Sequence, residues 1–124
     1  MKAMWIATVL LATFSAAAAV ADTSSLQGSW KGPWYIGMSS GIATLDIAAD
    51  GTGKIALTNL DEFGSQPVAL AKQSFDGKLL TFSTTGANGA ALVMALRLGE
   101  GGKQLRGNGK HAGFGARMEL QRTD

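Results

Sequence analysis

The sequence predicts an all-β domain: an antiparallel up-and-down meander of about eight strands closing into a small barrel. From Gly28 onward, short apolar-alternating runs are punctuated by Asp50-Gly51-Thr52-Gly53, Asp76-Gly77, Asn88-Gly89 and Gly99-Glu100-Gly101-Gly102. These segments supply residues that tolerate positive φ and so mark turns. The runs between them have strand length, about five to nine residues. Short links make consecutive strands antiparallel neighbours, and closure removes the edges a meander would otherwise expose. A two-layer sandwich is the structural alternative.

The chain starts with features of an export signal. Lys2 supplies positive charge, an apolar run extends from Met4 to Phe14, and small residues lead to Ala19-Val20-Ala21. The A-x-A pattern places cleavage after Ala21, leaving residues 22–124 as one domain. The apolarity dissolves into Ala and Ser before reaching the roughly 20 residues a membrane anchor needs, so no transmembrane anchor is expected after cleavage. Eight strands follow: Ser29 to Ile36, Ile42 to Ala49, Lys54 to Leu60, Val68 to Phe75, Lys78 to Thr84, Ala90 to Leu98, Gln104 to Lys110, and Phe114 to Arg122.

Period-2 alternation supports several of them. In the last, Phe114, Ala116, Met118 and Leu120 share a face opposite Arg117, Glu119 and Gln121. In the sixth, Leu92, Met94, Leu96 and Leu98 oppose Val93, Ala95 and Arg97; in the second, Leu45 and Ile47 oppose Thr44 and Asp46. The fourth is weaker, because Ala69-Leu70-Ala71-Lys72 also suits a helical turn, and 61–67 reads as the longer loop.

Composition narrows the function. Without Lys2, ten basic residues face nine acidic ones, scattered singly, which gives no electrostatic case for nucleic acid. With no cysteine, disulfides, thiol catalysis and a lipid-bearing N-terminal cysteine are excluded. A disulfide-free exported domain suits a bacterial periplasm, so the expected location is periplasmic or secreted.

Gly28-Ser29-Trp30 is the G-x-W pattern that opens lipocalins, avidins and related barrels of the calycin group, and the chain resembles a small lipocalin-like barrel. The resemblance implies that Trp30 closes one barrel end beneath a basic residue near the end of the last strand. Arg122 stands in that place and shares the parity of Met118 and Leu120. The pair is a structural plug. The resemblance transfers no ligand, and the chain lacks an evident helix after the barrel.

Gly51-Thr52-Gly53-Lys54 lacks the spacing and Ser/Thr of a phosphate loop and reads as a hairpin turn. His111, the only histidine, falls in Lys110-His111-Ala112-Gly113, an expected exposed hairpin tip. A lone histidine supports neither a triad nor a multi-histidine zinc site. Asp61-Glu62 is the only adjacent acidic pair, and the remaining carboxylates sit in turns or on polar faces. No catalytic constellation, metal site or cofactor is therefore expected. Trp34 and Tyr35 form an aromatic pair, either a core anchor or a stacking wall at a barrel mouth. Glycines 107, 109, 113 and 115 leave one strand face bare, for a ligand, a loop or strong coiling to fill.

The resulting expectation is a non-catalytic exported barrel binding a small apolar or amphipathic ligand, through Trp34, Tyr35, Leu45, Phe82, Met94 and Met118. The alternatives are a periplasmic interaction or inhibitor module with a filled barrel, whose partner is an envelope protein, and, with least support, an enzyme, which requires polar groups converging in a pocket. A transmembrane barrel fits poorly, because Arg97, Arg117, Glu119 and Gln121 occupy the outer face.

Overall fold

The computed structural model describes residues 24–60, 63, 66–87 and 89–124. The expected leader and the Asp61-Glu62 pair lie outside them. After a 3-10 turn (Ser24–Leu26) come nine strands: β1 (Gly28–Ile36), β2 (Ser39–Ile47), β3 (Gly53–Leu57), β4 (Val68–Ala69), β5 (Ala71–Phe75), β6 (Leu79–Thr85), β7 (Ala91–Leu98), β8 (Gln104–His111) and β9 (Phe114–Arg122). A second 3-10 turn, Glu100–Gly102, links β7 to β8.

All strands belong to one sheet, ordered β4-β3-β2-β1-β9-β8-β7-β6-β5, and every pairing is antiparallel. The two edge strands, β4 and β5, are separated in sequence only by Leu70. A sheet whose opposite edges are one residue apart must be rolled up, so the meander forms a nearly closed barrel. One run makes the closure. Its first part pairs with β3 (Ile55↔Val68), and Leu70 N–H donates to Gly53 O at 3.0 Å. Its second part pairs with β6 through Ala71↔Ser83 and Phe75↔Leu80. Thr84 Oγ1 on β6 also donates to Ala69 O at 3.0 Å.

The nine strands are thus the eight expected runs with the fourth divided. That run changes neighbours within a few residues, and it does so with a bulge between Ala71 and Ser74 and a positive φ of 50° at Lys72. Bulges bend and re-aim strands in this way. The ambiguous alternation of the fourth run reflects this corner. Elsewhere the boundaries differ by a few residues: β2 starts at Ser39, and β3 stops at Leu57 because Asn59 adopts φ 65°.

Alternation sorts the side chains as expected. Trp30, Leu45, Ile55, Leu80, Leu92, Leu96, Leu105, Met118 and Leu120 are all at 0% exposure in one core. Phe114 departs from the expectation, being 59% exposed. It has inward parity but sits beside the β8–β9 turn, past the rim, against Gly37 of the neighbouring hairpin. Pro33 keeps β1 in phase with both neighbours, from Trp30↔Arg122 to Ile36↔Ala116 on β9 and throughout β2. Trp30 and Trp34 therefore face the same side.

Candidate functional site

The first barrel end is built around Trp30. Its indole is fully buried, and Nε1 donates to Leu26 O at 2.9 Å, drawing the N-terminal 3-10 turn across the opening. The Arg122 guanidinium carbon lies 4.2 Å from the Trp30 ring centroid, within cation–π range. Arg122 also donates to Ser25 O at 2.6 Å, Gln27 O at 2.7 Å and Gly102 O at 3.3 Å. One side chain thereby ties both 3-10 turns to the last strand. The hydrogen bonds of Arg122 all go to backbone carbonyls, with the Asp124 carboxylate 3.8 Å away, and this end is a closure.

The opposite end holds Trp34, Phe63 and His111. Trp34 Nε1 donates to Thr58 O at 3.0 Å above Gly41, where an added Cβ would collide with the same carbonyl. The structure corrects the expected exposed position of His111: it is the last residue of β8 and only 3% exposed. Its Nδ1 lies 3.1 Å from Ala91 O, and its ring meets Phe63 at a centroid distance of 6.0 Å. The turn consists of Ala112-Gly113 alone, with φ of 51° and 85°, as in the two-residue hairpin turns that match strand twist. Parity carried the missed signal, since His111 falls in step with Leu105 and the glycines at 107 and 109.

Those glycines have a structural explanation. An added Cβ at Gly107 would run into Ala95 O, and one at Gly109 into Val93 O and, at 2.7 Å, Met94 Sδ. Strong coiling of β8 onto β7 fills the space left by the missing side chains. Gly113 belongs to the turn, and nothing lies within 4 Å of a Cβ built on Gly115.

The expected ligand set divides. Trp34, Leu45, Phe82, Met94 and Met118 come together in the core at 0–2% exposure, with Trp34 opposite Met118 and Phe82 opposite Met94 in register. Tyr35 projects from the outer wall, 37% exposed, beneath the Arg117 guanidinium at 4.7 Å. Side chains that enclosed a water-sized void would expose surface into it. With Trp34, Leu45 and Met118 at 0%, no such void borders them.

The outer wall carries an open groove of about 680 Å³ across β6 to β9. Its lining includes Leu79, Arg97, Arg106, Asn108, Arg117 and Glu119. Register places Glu119, Arg106, Arg97 and Leu79 in one row across the strands, and Tyr35, Arg117, Asn108 and Ala95 in the next. Arg117 pairs with Glu119 at 3.5 Å, both well exposed, which contributes little to stability.

A second row, Ser29, Asp46 and Lys54 across β1 to β3, borders another surface depression. Ser29 Oγ donates to Asp46 Oδ1 in a short hydrogen bond. This is a cross-strand polar pair with the lysine opposite the carboxylate, and no histidine stands nearby in the register to act as base. Among the described residues, no group of three or more His, Asp or Glu side chains is placed to hold a metal ion. Nor is any helix among them long and apolar enough to cross a membrane.

Interior, closures and outer wall together define the class: a small antiparallel β-barrel with a packed interior. No family model matches the chain, and no curated protein matches it. Among solved structures it is similar to a redesigned β-barrel, with a TM-score of 0.66 and 16% sequence identity, covering 86% of this chain and 96% of that one. At this identity the likeness is one of fold. It supports the barrel, while the calycin kinship and export remain expectations of the sequence.

Proposed function

We propose that this protein is a non-catalytic exported barrel that works through its outer wall, as an interaction module of the bacterial cell envelope. The observation that carries this reading is the packing of the interior. The side chains suited to line a ligand cavity, Leu45, Phe82, Met94 and Met118, are instead packed against one another at 0–2% exposure. An interior ligand would have to displace some of them, at the cost of the burial that holds the barrel together. The export signal read in the first 21 residues supplies the location.

Native mass spectrometry of the mature protein from its own host's periplasm, with in-situ cross-linking, tests this. The expected result is the bare chain mass, starting near Asp22, together with cross-links to an envelope protein. A reproducible extra mass lost on denaturation would instead support the small apolar or amphipathic ligand and overturn the interaction reading.

A further inference from the structure

The chain has four arginines, all within its last 28 residues, on β7, β8 and β9. Arg122 is consumed by the Trp30 closure. The other three, Arg97, Arg106 and Arg117, line the outer groove. Arg97 and Arg106 are direct cross-strand partners, so two like charges stand opposite each other, an arrangement that opposes sheet pairing. Neither forms an ion pair among the described residues. Glu119 flanks the row at one end, and Asp76 lies close enough to Arg97 at the other for its carboxyl to feel the cation. Three arginines against these two flanking carboxylates leave the groove positively charged.

We infer that this groove binds an acidic segment of a partner protein, whose carboxylates lie between Arg97 and Arg106 and reach toward Arg117. Arginine suits that task, because its planar fork takes a carboxylate through two parallel N–H donors. The scale favours a peptide. Two strand spacings separate β7 from β9, about 10 Å, more than one small anion spans. Leu79, Ala95 and Gly107 give the groove an apolar part for the peptide backbone and aliphatic stems. Asn108, in register between Arg117 and Ala95, adds donors and an acceptor. A near-balanced net charge of +2 argues against the long-range field that nucleic-acid binding uses. The inference rests on the interaction reading above and assigns it a face and a partner chemistry.

The test is fluorescence anisotropy with a labelled ten-residue oligoglutamate peptide at low ionic strength. Binding is expected to be saturable and to weaken as salt rises. The double variant R97Q/R106Q is expected to weaken it at least tenfold while its Tm stays level or rises, because the opposed charges are relieved. The control double variant K54Q/K72Q removes the same charge outside the groove and is expected to change affinity less than twofold. Equal weakening in both double variants would reduce the effect to net charge and overturn the site, as would absence of peptide binding. Tighter binding of an oligothymidylate of the same length would overturn the partner class. Cross-links to an envelope protein that lie away from the groove would sink this inference and leave the interaction reading standing. A co-purifying small molecule would sink that reading itself.

Discussion

At the scale of single residues, backbone geometry decides more than side-chain chemistry. Ala112 holds φ 51° in the β8–β9 turn, in the left-handed region that costs an L-residue with a Cβ roughly 1–2 kcal/mol. Asparagine tolerates this region, and Asn-Gly is the preferred pair for such a turn. Ala112→Asn is therefore expected to stabilise the protein by about 0.5–1 kcal/mol, seen as a raised denaturation midpoint at constant m-value. A lower midpoint would mean that the turn is of another type. Gly107 and Gly115 give a second contrast on neighbouring strands. Gly107→Ala drives a methyl into Ala95 O and is expected to cost about 1–3 kcal/mol, whereas Gly115→Ala meets nothing within 4 Å and is expected to be neutral or mildly stabilising. Similar losses at both positions in chemical denaturation would refute the close-approach explanation.

The same residues show what the sequence could reveal. Glycine at 107 and 109 was visible as a bare face, but the choice between coiling, loop and ligand depended on where Ala95 O and Val93 O lie, which only the β7–β8 pairing determines. The position of His111 depends on a related feature. A glycine after Ala112 advertises a turn, yet a turn of two residues rather than four leaves the histidine inside the ladder, paired with Phe114.

At the scale of elements, the weakest link is the closing run. Val68–Phe75 gains only two paired positions from β3 and passes to β6 through a bulge, whereas β8 pairs along its whole length with β9 and from Leu105 to His111 with β7. Local opening follows the density of such contacts. Amide hydrogen exchange is accordingly expected to be fastest in β4 and β5 among the strands, and slowest in β1, β8 and β9. Uniform protection around the barrel would show that closure is as cooperative as the rest. This element was also the least legible in sequence: the chain was expected to make a plain strand there, and its corner had no signature beyond a spoiled alternation.

The turns contribute in a pH-dependent way. Asp76 Oδ1 accepts the backbone N–H of Leu79 at 2.8 Å and of Lys78 at 2.9 Å. These bonds, that of Leu79 foremost, with a smaller aid from the Arg97 charge, hold its carboxyl below the ordinary aspartate value of 3.8. Asp50 is lowered likewise, by the Thr52 hydroxyl and then the Thr52 backbone N–H. A carboxylate depressed in the folded state contributes stability that is present in full above its unfolded value and is lost as pH falls through the folded one. Asp76→Asn keeps a turn-forming side chain and removes the titration. Below about pH 4, its stability is expected to fall less steeply with acid than that of the wild type, read from denaturant midpoints between pH 2 and 6. Parallel slopes would show that the Asp76 turn persists in the unfolded chain.

At the scale of the molecule, function depends on whether the barrel is full. Eight strands enclose room either for packed side chains or for one small ligand, and composition alone does not separate the two. The inward faces of β2 and β7 were legible from alternation: Leu45, Ile47, Leu92, Met94 and Leu96 are buried, and only Leu98, at the end of β7, is half-buried. What alternation lacks is the fit of Trp30 and Trp34 against those chains and the descent of Phe63 into the second end at 4% exposure. Phe82, opposite Met94 in register and 2% exposed, lies among them. Phe82→Ala is expected to cost about 3–5 kcal/mol and to leave an apolar cavity that stays dry. Xenon or benzene should then raise the Tm of the variant in proportion to the logarithm of its concentration and leave the wild type unmoved. If the wild type were stabilised by the same probes, the interior would already have room. The working surface would then move from the arginine-lined wall to the inside of the barrel.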